Sequence, residues 1–244
     1  MLRHKAWMSN VAYYVGVLAL IWAAWENPPW LLVALPIYLL GGFTLSVGYH
    51  RLFCHGSFKT SRFWHGFWAT SGVLFMYSSP LQWAITHATH HRHSDTDRDP
   101  HEGPLKAASL LRKGYRDVPL MTIKGRRLLR DPIHYFVDKH YAGIWLAFAA
   151  LMLMLSWEFF VYAYLPAVGA AHLVASMHQF LSHTGNSPNN FWFLEYVMPS
   201  AGEWLHKTHH DHPGRSSFRS RWYHLDLGAA VVSAIRIRGH KSAN

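Results

Sequence analysis

WLLVALPIYLLGGFTLSVGYHRLFCH, residues Trp30–His55, runs an apolar stretch straight into a pair of histidines. No charged side chain interrupts Trp30–Tyr49, and roughly 20 apolar residues suffice to cross a bilayer as a helix. We therefore predict a membrane span over 30–49, with His50 and His55 emerging at its end. An imidazole offers a neutral nitrogen to first-row transition metals.

Histidine recurs in two further clusters, His87-Ala-Thr-His90-His91 and His206-Lys-Thr-His209-His210. On a helix, H-x-x-H-H brings positions i, i+3 and i+4 onto one face, so that three ring nitrogens converge. Two triplets and a pair supply eight ligands, too many for one metal and suited to two. Structural zinc sites use four ligands, usually including cysteine, and catalytic zinc sites use three. Single histidines such as His4, His65 and His240 read as surface or interfacial residues. The lone Cys54 excludes an internal disulfide and a cysteine-ligated cluster.

The chain has 244 residues, half of them hydrophobic, 20 histidines and a formal net charge of +10. Such a charge can signal nucleic acid, but the basic residues are segregated in the way that membrane topology demands. None occurs between Lys5 and Arg51, or between Lys139 and Lys207. Each gap has room for two spans. We predict spans at about 7–25, 30–49, 137–157 and 158–181, with Glu26-Asn-Pro-Pro29 breaking the first hairpin. The positive-inside rule then puts all 23 basic residues, both termini and every histidine cluster in the cytoplasm. Phe63–Ile85 is apolar enough to suggest a fifth span, but crossing there would separate His50 and His55 from His87, His90 and His91. It is expected to lie in the interface or re-enter it, as is Phe191–Met198. The fold class is all-α: an integral membrane protein with four transmembrane helices and a cytoplasmic helical cap (50–136 and 182–244) holding a dimetal site. The start of the chain lacks the pattern of a cleavable signal peptide.

The order H-R-L-x-x-H, then H-x-x-H-H with Ser-Asp-x-x-x-Asp-Pro-His (His87–His101), then G-E-x-x-H-x-x-H-H (Gly202–His210) resembles the membrane fatty-acyl desaturases, the stearoyl-CoA desaturase type above all. The likeness runs from about Gly48 to Asp226 and implies a single membrane desaturase domain over 1–244. It implies a ninth imidazole, His183, and two non-haem irons with O2 as cosubstrate. By the resemblance, His50, His55, His87, His91 and His210 hold one iron, and His90, His183, His206 and His209 the other. Where the family has an Asn one turn before the ninth histidine, this chain has Gln179; direct ligation, contact through water and no role are all open. Zinc can stand in for iron in a purified sample, since imidazoles do not exclude it. Glu203 and Asp95 are candidates to accept a hydrogen bond from an outward ring N–H; Asp99 and Asp211 have a lesser claim, and Asp95 and Asp99 serve equally as helix caps or partners of Arg92 and Arg98. His178, His93 and His212 fall outside the matched spacing.

The stretch Lys106–Arg130 carries eight basic residues against Asp117 alone. It suits anionic head groups or a phosphorylated acyl carrier, and Arg112-Lys113 correspond to a pair that meets the coenzyme A phosphates in the family. Trp83 matches a family tryptophan and is a candidate wall of the acyl tunnel. The resemblance thus implies desaturation of a fatty acyl chain, acyl-CoA first, with acyl carrier protein- or lipid-linked chains as alternatives. A separate donor of ferredoxin or cytochrome b5 type supplies two electrons, and a bacterial inner membrane is preferred to the endoplasmic reticulum. Hydroxylation of a lipid or alkane is the rival chemistry. A metal transporter is a poorer reading, because the clusters sit at span ends rather than near the midplane.

Overall fold

A computed structural model describes residues 6–96, 98–100, 118, 122–184 and 187–237. In chain order, α1 (Ala6–Glu26) and α2 (Trp30–His55) precede α3 (Arg62–Leu74), α4 (Pro80–His93) and α5 (Ile123–Leu129). Then come α6 (Pro132–Leu155), α7 (Trp157–Ser182), α8 (His206–Asp211) and α9 (Leu227–Ile235). Among the described residues the fold is all-helical, apart from one antiparallel bridge between Thr60 and Arg236.

Four of these helices, α1, α2, α6 and α7, are long and apolar enough to cross a membrane. Their outer faces agree: Trp25 and Met154 are 84% exposed and Leu32 77%, a costly display in water but not in hydrocarbon. Two boundaries differ from the sequence expectation. Helix α6 starts at Pro132, before the predicted 137, because Asp131 caps it by accepting from the Ile133 N–H at 2.9 Å and Pro132 needs no partner in the first turn. Helix α2 runs on past Tyr49 to His55, its last 12 residues in π-helical turns.

Phe63–Ile85 is two helices rather than one, and neither is among the four long ones. The break falls at 75–79, where Met76 and Ser78 take positive φ of 55° and 68°. Ser79 caps α4 by accepting from the Gln82 N–H, and Pro80 follows in the first turn. Trp192–Tyr196, within the predicted interfacial 191–198, is a 3-10 turn.

The helices pack closely where side chains vanish. A Cβ on Gly16 of α1 would stand 2.5 Å from the Gly169 nitrogen of α7, and one on Gly169 would come closer still to Gly16. Such backbone contact is how helices associate where lipid gives no hydrophobic drive.

Candidate dimetal centre

The π-helical end of α2 decides the first pair. On an α-helix, residues five apart point about 140° away from each other, whereas i→i+5 turns bring them onto one side. His50 and His55 accordingly lie with ring centroids 4.9 Å apart. From α4 and α8 come the two triplets, the α4 triplet oriented by the Ser79 cap.

The rings sort into two groups, each with one donor atom per residue and all within 4.8 Å of one another. One is His50, His55, His87, His91 and His209; the other is His90, His183, His206 and His210. In the first, His209 Nε2 is 2.9 Å from both His50 Nε2 and His91 Nε2, and His91 Nε2 is 3.0 Å from His87 Nε2. In the second, His206 Nε2 is 2.7 Å from His183 Nε2 and 3.0 Å from His210 Nε2.

This corrects the expected division, which had His210 in the first group and His209 in the second. The i,i+4 pair of each triplet stacks along one face and stays together, as His87 with His91 and His206 with His210. The middle ring, His90 or His209, turns to the other group. The two helices therefore exchange one imidazole each.

The outward nitrogens fix the tautomers. Glu203 Oε2 lies 2.7 Å from His50 Nδ1, Asp99 2.9 Å from His90 Nδ1, and Asp95 Oδ2 3.3 Å from His183 Nδ1. A carboxylate has no proton to give, so each of these rings carries its N–H on Nδ1 and turns a bare Nε2 lone pair inwards. A ring nitrogen facing such a lone pair must either donate its own N–H to it or share a cation with it. With metal–imidazole bonds of about 2.0–2.1 Å, ligands at right angles stand about 2.9 Å apart, as these do. His55 Nε2 is also buried, with no hydrogen-bond partner among the described residues. Nine nitrogens in two groups, without thiolate, fit two first-row divalent ions.

Electrostatics prepare the same outcome. Burial foremost, and then neighbouring imidazoles, hold His87, His90, His206 and His209 well below the usual histidine range and His91 down to about 3. Burial alone would raise Glu203, but His50 and Arg51 outweigh it and hold the carboxyl down to about 2.

Sequence reasoning missed three supporting groups. The fully buried Arg51 guanidinium bonds Ser46 and Asp226 Oδ1 (3.0 Å), approaches Glu203 (3.6 Å) and lies 3.9 Å over the Phe218 ring. Asp226 also accepts from the Phe218 and Ala229 N–H groups at 2.8 and 2.9 Å. Buried Glu195 accepts from the backbone N–H of Ser200, Gly202 and Trp204 at 2.9–3.1 Å, folding the loop that delivers Glu203 and α8. The arginine of H-R-L-x-x-H was the available signal, since a charge at a span end needs partners.

Trp83 stacks on His87 at 4.7 Å. With Gln179, it lines a cavity of about 100 Å³ that also touches His50, His87 and His206 and runs between α1, α2 and α7 past Tyr38, Leu45 and Ser9. His178 is buried and gives its Nε2 to the Glu203 carbonyl at 2.7 Å, not to either group. Arg112 and Lys113 lie outside the described residues.

Comparison with known proteins matches residues 28–237 to the fatty acid desaturase family. The sn-1 stearoyl-lipid 9-desaturase of Anabaena variabilis is 30% identical over 85% of this chain and 80% of its own length. Delta-9 acyl-lipid desaturase 1 of Arabidopsis thaliana is 29% identical over 96% and 80%. A probable acyl-CoA desaturase of Schizosaccharomyces pombe is 28% identical over 92% of this chain and 51% of its own length.

Proposed function

The chain belongs to the fatty acid desaturase family, and on that premise we propose that it draws two hydrogens from adjacent carbons of a fatty acyl chain to leave a cis double bond, using O2 and two electrons from a separate donor protein. In balance, R–CH2–CH2–R′ with O2, two electrons and two protons yields R–CH=CH–R′ and two waters. Two irons would supply the oxygen chemistry that breaks an unactivated C–H bond. The nine candidate ligands are His50, His55, His87, His91 and His209 for one ion and His90, His183, His206 and His210 for the other.

The observation that carries this reading is the convergence of carboxylate-oriented imidazoles on the end of an apolar cavity. Glu203, Asp99 and Asp95 keep the Nε2 lone pairs aimed inwards. Trp83, flat against His87, fixes that ring and forms a wall against which a methylene chain can lie. Tyr38 and Leu45 exclude water along the slot, which protects a reactive centre from side reactions. Gln179 lines the same cavity as His206, and in this reading its amide holds a water there.

We take the substrate to be an acyl chain esterified to a membrane lipid. The cavity lies between membrane-length helices, and the Anabaena and Arabidopsis relatives are named for acyl-lipids. The cytoplasmic side is favoured by the basic residues at the histidine-bearing span ends.

The test is reconstitution in liposomes with iron, a ferredoxin reducing system and labelled acyl chains offered as phospholipid, acyl-CoA or acyl carrier protein. An unsaturated product from phospholipid supports the reading. An alcohol would replace desaturation by hydroxylation, and product from acyl-CoA alone would overturn the lipid-linked substrate.

A further inference from the structure

Beyond the nine imidazoles, the described residues hold another cluster of metal-ligating side chains. His65, Asp131 and His134 place one donor atom each within 4.8 Å of the others. His65 stands in the first turn of α3, Asp131 caps α6 and His134 lies in the first turn of that helix. In sequence His65 reads as an isolated interfacial residue. The fold gives it a partner 69 positions away.

His65 Nε2 is 3.1 Å from His134 Nε2 and 3.4 Å from Asp131 Oδ2. Zinc bonds of about 2.0–2.1 Å at tetrahedral angles set ligand atoms roughly 3.3–3.4 Å apart. An imidazole–imidazole hydrogen bond joins two of these donors, and the α6 cap and the Arg62 ion pair hold the carboxylate beside them. Two imidazoles and one carboxylate, with a fourth position left for water, are the donors that zinc-class ions take. The His65 and Asp131 side chains are 20% and 22% exposed, so an ion can reach them from solvent.

Arg62 occupies Asp131 through Nη1 at 2.7 Å and Nη2 at 3.2 Å. Its side chain is 61% exposed, free to swing into water when a cation replaces it. Asp131 Oδ1 would go on capping α6. The Phe53 ring packs 5.0 Å from His65 and 4.7 Å from His134, and Phe53 lies between His50 and His55 on α2.

We propose that His65, Asp131 and His134 form a third metal site, taking one exchangeable zinc-class divalent cation. The ion ties α3 to the start of α6 and clamps Phe53 between them. It steadies the stretch of α2 that bears the first histidine pair.

The experiment titrates metal-free full-length protein in detergent with Co2+. Bound cobalt is counted per chain, and the visible absorption of four-coordinate cobalt is recorded. His65→Gln and Asp131→Asn should each bind one cobalt fewer than the unaltered protein and lose the corresponding four-coordinate band. Asparagine retains the helix cap, so loss there is not a loss of fold. A count unchanged in either variant overturns the proposal. Because the measure is a difference, it stands apart from whatever the nine-imidazole centre binds.

Discussion

Replacing Glu203 by glutamine removes one negative charge while leaving a side chain of the same length to face His50. The carboxylate accepts from His50 Nδ1 at 2.7 Å and from the Ser46 hydroxyl, and lies 3.6 Å from Arg51. A hydrogen bond to a charged group is worth about 1.5–3 kcal/mol. Loss of a carboxylate that orients a metal-bound histidine costs about 10–100-fold in affinity, or roughly 1.4–2.8 kcal/mol. Both routes give the same size. Glu203→Gln should therefore weaken one ion per chain by 10–100-fold, the one facing His50, and spare the other, whose rings lean on Asp99 and Asp95. Chelator competition on the metal-loaded protein, followed ion by ion, is the assay. Asp226 remains 3.0 Å from Arg51, so the fold should survive with a lowered melting temperature. Equal weakening of both ions, or of neither, would refute the reasoning. Since burial opposed by His50 and Arg51 leaves this carboxyl at about 2 rather than 4.5, its contribution is full above pH 4.5 and is lost progressively as pH falls from there through about 2.

His209→Ala should loosen the ion shared with His50 and His91, and His210→Ala the one shared with His206. Resolving the two ions by Mössbauer spectroscopy of iron-loaded variants checks this, and the reverse pattern would restore the division expected from sequence. Gly169→Val should destabilise the protein by at least the ~1–3 kcal/mol of an overpacked core, because its side chain would collide with the Gly16 backbone; a melting temperature unchanged in detergent would remove that contact. Because burial keeps His87, His90, His206 and His209 neutral well below pH 6.5, metal affinity should stay nearly flat from pH 7 to 6. A steep fall across that interval, measured by the same chelator competition, would contradict those depressed values.

The spans were legible because hydrocarbon imposes length and apolarity on any segment that crosses it, and basic residues mark the ends. The two histidine triplets were legible because H-x-x-H-H is a helical period, whereas His183 came only with the family resemblance. What was hidden is instructive. H-x4-H means little on an α-helix, and nothing in Thr44–His55 announces the wide turns that rescue it. Spacing alone said that His206, His209 and His210 share a face, but not which ring crosses over, since that depends on how α8 sits against α4. Asp99 was weighed as an imidazole acceptor, a cap or an arginine partner, and the turn after α4 brings it to His90 Nδ1. Arg51 and Asp226 meet across 175 positions, a distance that no local pattern encodes.

Because α4 and α8 each lend a ring to the opposite cluster, an ion captured on either side also stiffens the helix serving its neighbour. The two helices thus form one mechanical unit rather than two separate holders.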